Sequence, residues 1–173
     1  MTAYIALLRA VNVGGTGKLP MTELAAMCER AGFEQVKTYI ASGNVVFTSG
    51  ESEAAVKAAL EQAMQDYAGK PVGVMVRSAD EMAGVAKANP FPQAPGNRVV
   101  AIFLDAKPPS DAAEAARHVD GEEIALGTRE IYVRYTDHGM AGSKLVVPAA
   151  KAGTGRNMNT VAKLAEMAAA LSA

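Results

Sequence analysis

Two short polar strings carry the residue types that hold anions. Asn12-Val13-Gly14-Gly15-Thr16-Gly17-Lys18 follows an apolar run and precedes Pro20, and Gly153-Thr154-Gly155-Arg156 precedes the last helical pattern. A glycine-rich loop between a strand and a helix can aim several backbone N–H groups at one anion, and the helix N-terminus adds positive potential. The glycines are equally consistent with a plain turn of the chain. In both strings a cation stands just before a helix N-terminus, the unfavourable end for positive charge by about 0.3–1 kcal/mol when exposed. A bound phosphate or carboxylate reverses the sign of that effect, as does a neighbouring Asp or Glu. The nucleotide motifs are absent. GxxxxGK[ST] requires Gly where Asn12 stands and Ser or Thr where Leu19 stands, and GxGxxG fails at Pro20. Neither ATP hydrolysis nor dinucleotide binding follows.

The expected ligand site combines Arg9, Asn12, Gly14, Gly15 and Lys18 with Lys144, Arg156, Asn157 and Asn159. That requires the C-terminal segment to fold back beside the end of the first strand. Ser42 and Asn44 flank Gly43 at a hairpin tip. Asn is depleted in strands, so Asn44 either caps the turn or faces a ligand from the sheet end. Charge points the same way. From His138 onward four cations (Lys144, Lys151, Arg156, Lys163) face one acid, Glu166, a net +3 in a chain whose total is −1. A solvated helix face accounts equally for Lys151 and Lys163.

Catalytic chemistry has less to work with. Cys28 falls on the apolar stripe of a helix and reads as packing. Asp137 and His138 are adjacent in a loop, and His118 sits near an expected helix end, where His⁺ suits the dipole. No His/Cys/Asp cluster has metal-ligand spacing, and no nucleophile elbow is present. Ser143, Lys144, Arg9 and Asp137 are the raw material of a distributed site, but no catalytic residue, metal or cofactor is assigned.

The elements that must position these residues follow from periodicity. An apolar strand over 4–9 and a helix opened by Pro20 with Leu24, Met27, Cys28 and Ala31 on one face come first. Strands over 36–40 and 44–48 joined by Ala41-Ser42-Gly43, an Ala-rich helix over 51–67 and a strand over 72–77 complete a β-α-β-β-α-β unit. That order is the ferredoxin-like unit, a four-stranded antiparallel sheet with both helices on one face. Residues 79–88 read as a helix and 89–96, with three prolines, as loop. A strand over 99–104, a helix from Ser110 to about His118, strands over 123–126 and 131–135, a broken helical piece over 143–150 and a helix over 159–171 follow. The expectation is α+β: two ferredoxin-like halves, 1–77 and a divergent 97–173 with C-terminal helices, joined by a connector over 78–96.

Several of these segments also resemble a known family. Tyr4-Ile5-Ala6-Leu7-Leu8-Arg9-Ala10-Val11-Asn12-Val13-Gly14-Gly15, Lys18-Leu19-Pro20-Met21 and Thr38-Tyr39-Ile40-Ala41-Ser42-Gly43-Asn44-Val45-Val46-Phe47 are similar to YIALLRGINVGG and TYIQSGNVVF. These are signatures of a widespread bacterial family known as a domain of unknown function. Ser143-Lys144-Leu145 and Arg156-Asn157-Met158-Asn159-Thr160-Val161 resemble its SKL and ARNWNT patches. The resemblance implies an α/β make-up with ferredoxin-like halves and brings no established activity. The chain carries Ala10 where the family often has Gly, and Met158 where it often has Trp.

Composition narrows the classes. With 173 residues, half of them hydrophobic, seventeen basic and eighteen acidic, the chain is neither a disordered tail, a disulfide scaffold nor a strongly basic nucleic-acid binder. Thirty-five alanines inflate the hydrophobic count, so the strand residues must build much of the core. No apolar run approaches the roughly 20 residues of a bilayer span. Met1-Thr2-Ala3-Tyr4 lacks a signal-peptide pattern, and Cys28 is the single cysteine. A cytoplasmic protein without membrane partners is expected, binding a phosphate-bearing small molecule or a short RNA. A conventional RRM is disfavoured, because the basic-Gly-aromatic string is missing and Phe47 reads as core. The competing expectations are a dimerisation or protein-interaction module, forming a homodimer, and a small-molecule enzyme of unassigned reaction.

Overall fold

The structure, a computed structural model, describes residues 1–11 and 18–171. The chain divides into two compact units, Met1–Ala83 with Lys163–Ala173, and Gly84–Ala162.

In the first unit β1 (Thr2–Leu8), α1 (Met21–Arg30), β2 (Glu34–Tyr39), β3 (Asn44–Ser49), α2 (Glu53–Ala68) and β4 (Val74–Ser78) follow the expected order. The sheet runs β2-β3-β1-β4, and every neighbouring pair is antiparallel. α2 begins where the Ser52 hydroxyl accepts from the Ala55 N–H at 3.2 Å, satisfying one of the free donors of the first turn. It ends at Gly69, whose φ of +73° is the left-handed cap that glycine adopts without strain.

Helical spacing brings Leu24, Met27 and Cys28 of α1 and Val56, Leu60 and Met64 of α2 onto the sheet, where they meet Tyr4, Ala6, Leu8, Val45 and Phe47. The rings of Phe33 and Phe47 stack at 4.4 Å, 7° from parallel. Burying each such side chain stabilises the fold by about 1.5–3 kcal/mol. The alternate residues Ile5, Leu7 and Val46 are also fully buried, so these strands read as continuous apolar runs. The aromatics expected on the strands serve the core. Phe47 is inaccessible, and Tyr4 is buried with its hydroxyl donating to the Glu51 carbonyl at 2.8 Å. Neither offers a stacking platform for a base.

α3 (Ala79–Lys87) opens on a reciprocal cap. The Glu81 N–H donates to the Ser78 hydroxyl and the Ser78 N–H to the Glu81 carboxylate, at 3.2 and 3.0 Å.

The second unit is built on β5 (Val99–Phe103), β6 (Glu123–Leu126), β7 (Glu130–Arg134) and β8 (Thr154–Asn157), antiparallel in the order β6-β7-β5-β8. α4 (Met158–Leu171) follows β8 directly, burying Met158, Val161, Leu164, Ala168 and Leu171 as its periodicity predicts.

Three expectations are corrected here. The helix from Ser110 to His118 is a run of turns with a single i→i+4 bond, Ala115 N–H to Asp111 carbonyl. Its alanines favour helix, but only Ala112 is fully buried. Without a stripe of larger apolar residues a short helix has no packing to hold it. His118 therefore ends no helix, and has φ +59°. The segment 143–150 contains only a short 3₁₀ turn, Pro148–Ala150. Finally, Gly153-Thr154-Gly155-Arg156 is not a loop before a helix. Thr154–Asn157 is β8, paired with β5 from Phe103↔Thr154 to Val100↔Asn157. A β-carbon on Gly153 would stand 2.7 Å from the Phe103 carbonyl oxygen, so this glycine serves close chain packing rather than an anion cradle.

Among the described residues no helix is long and apolar enough to cross a membrane.

Candidate functional site

The antiparallel pairing Leu7↔Asn44 and Leu8↔Val74 gathers the end of β1 and the starts of β3 and β4 at one end of the first sheet. Two backbone bonds extend the ladder there. The Leu8 N–H donates to the Gly43 carbonyl and the Arg9 N–H to the Gly73 carbonyl, both at 2.9 Å. Beyond them a cavity of about 530 Å³ opens.

Three cations line it: Arg9 after β1, Lys18 before α1 and Lys70 after α2. Val11, Met64 and Val72 supply apolar wall, the Tyr67 ring comes from the last turn of α2, and among the described residues no carboxylate lines the cavity. Lys18 and Lys70 are exposed, and among the described residues neither makes a hydrogen bond or ion pair. Lys18 and Lys70, without a counter-charge among the described residues, repel one another, and an anion between them relieves that repulsion. The cavity volume falls within the range of small-molecule sites, about 300–1,000 Å³.

Of the residues singled out from sequence, Arg9 and Lys18 come together in this cavity. Asn12, Gly14 and Gly15 lie outside the described residues. Ser42 and Asn44 stand at the same sheet end but build the hairpin. Asn44 is fully buried, and its Nδ2 donates to the Tyr39 carbonyl at 3.0 Å and to the Ser42 hydroxyl at 2.8 Å.

Lys144, Arg156, Asn157 and Asn159 belong to the second unit. Arg156 is buried on β8. Its Nη1 donates to the Thr154 hydroxyl at 2.7 Å and to the Gly155 carbonyl at 2.9 Å, and burial pushes its pKa down to about 10. The Asn157 Oδ1 accepts from the Thr160 N–H at 2.9 Å, capping α4. Asn159 is exposed, with its amide against Gly96, and Lys144 is exposed on an irregular segment. Arg156 and Asn157 thus have structural work in their own unit: Arg156 does stand two residues before α4, but as a buried strand residue whose guanidinium is already hydrogen-bonded.

Several residues considered for catalysis have structural roles of their own. Cys28 is buried, and its thiol is pushed up to about 12 by burial and then by Glu29. Asp137 pairs at 3.7 Å with Arg98, and His138 is exposed beside it. The Ser143 hydroxyl donates to Glu122 at 2.6 Å. Among the described residues no three His, Cys, Asp or Glu side chains gather as metal ligands do.

Lys70 and Tyr67 were missed by sequence reasoning, which ends the Ala-rich helix at 67 and gives neither residue a place in the site. The usable signal is topological. In a β-α-β-β-α-β sheet the loop entering the fourth strand returns beside the end of the first.

The family described as Protein of unknown function (DUF1697) matches residues 1–132. The chain belongs to this family. No curated protein matches at a significant level. Among solved structures, the conserved bacterial protein SP0830 from Streptococcus pneumoniae is similar to this DUF1697 chain. It has a TM-score of 0.78 and 24% identity over 96% of this chain and 98% of that one. The likeness speaks to the fold, a mixed α and β make-up. The stretch matched to DUF1697 holds every described residue of the cation-lined cavity and stops before Lys144 and Arg156.

Proposed function

We propose that the cavity at the end of β1 binds a phosphate-bearing ligand, a nucleotide or the end of a short RNA, in a cytoplasmic protein. The observation that carries the reading is the convergence of Arg9, Lys18 and Lys70 on one cavity whose lining, among the described residues, holds no carboxylate. Phosphate oxygens accept charge-assisted hydrogen bonds from all three side chains, while Val11, Met64 and the Tyr67 ring receive an apolar or aromatic remainder. The reading rests on the first unit's residues that line this cavity. We also read the two sheets as halves of a ferredoxin-like duplication. Their common strand order (second, third, first, fourth) supports this, with the second half carrying turns where the first carries helices.

A thermal-shift series tests the binding reading. Nucleoside monophosphates, sugar phosphates and tetranucleotide RNAs are added to the wild type, Lys18→Ala and Lys70→Ala. A ligand at about one hundred times its Kd stabilises the folded state by about 2.7 kcal/mol. The wild type is expected to gain in melting temperature and both variants to lose most of the gain. Equal stabilisation of all three proteins overturns the proposal.

A further inference from the structure

The two sheets share a strand order but not a cover. In the first unit α1 and α2 close one face. In the second, the connections over 104–122 and 135–153 contain no α-helix; turns at 110–115 and 137–142, the 3₁₀ turn Pro148–Ala150 and an isolated bridge between Arg117 and Val146 take their place. Irregular segments cover a sheet less completely than helices. Here they leave a cavity of about 450 Å³. Ile102 of β5, Leu145, Val147 and Pro148 line it with apolar surface, and among the described residues no carboxylate lines it. Ile102 and Leu145 pack against the small core of Leu104, Ile131, Val133 and Val147, so these walls are held in place.

Two polar side chains in the lining are uncommitted. Arg117 is exposed and anchored by its backbone, which exchanges hydrogen bonds of 2.8 and 2.9 Å with Val146. Among the described residues its guanidinium makes no hydrogen bond or ion pair, and neither does the hydroxyl of half-buried Tyr135. Burial, and then the charge of Glu122, raise the Tyr135 pKa, so the phenol remains a protonated donor at neutral pH. Glu122 is already engaged. Its two oxygens accept from the Ser143 hydroxyl and the Asp120 N–H, both at 2.6 Å. Lys151 also lines the cavity and adds positive potential while holding interactions of its own.

We propose that this second cavity binds a monocarboxylate with an aliphatic body, of the medium-chain fatty-acid class. The carboxylate meets the Arg117 guanidinium and the Tyr135 hydroxyl, and the chain lies along Ile102, Leu145, Val147 and Pro148. One exposed guanidinium and a neutral hydroxyl, beside a Lys151 that already holds interactions of its own, suit a single negative charge, whereas the three cations of the first cavity suit a phosphate. An amine finds no carboxylate in the lining, and an uncharged chain leaves the guanidinium without a partner.

The test uses the full chain, with octanoate, octanol and octylamine as probes, followed by isothermal titration and by amide chemical shifts. Octanoate is expected to bind saturably and to shift the amides of Ile102, Val146 and Val147. Octanol is expected to bind more weakly, and octylamine not to saturate. Arg117→Gln, an exposed position whose backbone pairing is retained, is expected to weaken octanoate about tenfold. Tyr135→Phe, which keeps the ring in the core, is expected to weaken it about threefold. Circular dichroism confirms that both variants fold. No saturable binding of octanoate, equal binding of octylamine, shifts confined to the first unit, or unchanged affinity in both variants each overturns the proposal.

Discussion

The amide N–H of Arg9 donates to the carbonyl of Gly73 at 2.9 Å, one step past the last strand pair, Leu8↔Val74. That bond ties the exit of β1 to the entry of β4. It places Arg9 beside the short loop that begins with Lys70, so two cations far apart in sequence line one cavity. The arrangement rests on a strand pairing and not on a sequence motif.

Reversing one charge tests that arrangement. Lys70 is exposed, so Lys70→Glu is expected to change stability in plain buffer by less than about 0.5 kcal/mol. In the wild type, inorganic phosphate is expected to raise the melting temperature more than chloride at matched ionic strength. In Lys70→Glu the two salts are expected to act alike. A persistent phosphate effect in the variant assigns the anion to another place.

Ala10 has φ +58° at the turn leaving β1. A left-handed backbone costs a residue with a β-carbon roughly 1–2 kcal/mol, and glycine avoids the cost at the expense of a more mobile unfolded chain. Ala10→Gly is therefore expected to stabilise the protein by about 0.5–1 kcal/mol, read as a higher urea midpoint. At Gly43, φ +84°, an added β-carbon would stand 2.5 Å from Val11 Cγ2 and 3.1 Å from Leu8 Cβ, so Gly43→Ala is expected to lower the midpoint.

The Asn44 amide holds the β2–β3 hairpin through two donated bonds while fully buried. Asn44→Ala leaves the Tyr39 carbonyl and the Ser42 hydroxyl without that donor and is expected to cost about 1–3 kcal/mol. Asn44→Asp keeps the shape but replaces the donor by an acceptor that faces a carbonyl. It is expected to be less stable than wild type at pH 7, with the deficit shrinking as the pH falls and the carboxyl protonates. Denaturant curves at pH 7 and pH 4 check both the magnitude and the sign.

Glu122 titrates below its ordinary range, first because the Ser143 hydroxyl donates to it and then because the Asp120 N–H does. A carboxylate whose folded pKa is depressed contributes stability that is present above the unfolded value, about 4.3, and is lost as the pH falls through the folded value. Ser143→Ala removes the larger cause. The Glu122 carboxyl is then expected to titrate at higher pH, and the acid edge of the stability curve to move up with it. Side-chain carboxyl NMR shifts follow the first change and melting temperatures between pH 2 and 6 follow the second.

The residues explain why some of this was legible in advance. Leu24, Met27 and Cys28 recur at helical spacing, and Asn44 through Ser49 follows a turn signal, so α1 and β3 were readable within short windows. Ser110–Ala116 misleads because alanine propensity alone predicts helix, while packing decides whether one forms. Thr154–Asn157 misleads in the opposite sense. Gly155 and the preceding Gly153 argue against a strand, yet β5 has an open side and pairs with it from Val100 to Phe103. Arg9 and Lys18 were identified by the loop they flank, and Lys70 was not, because its relevance depends on which strand lies next to β1.

By itself the sequence determined the α+β class, the order of elements in the first unit, most strand and helix positions and the family, since each is written in residue patterns short enough to be read locally. Tertiary structure alone decided that Arg156 is a buried strand residue, that Asn157 caps a helix, and that Lys70 and Tyr67 join Arg9 and Lys18 around one cavity. Those outcomes depend on strand pairing between distant segments. The pairing is set by the joint burial of many side chains and the need of each backbone N–H and carbonyl for a partner, and no local window contains that information.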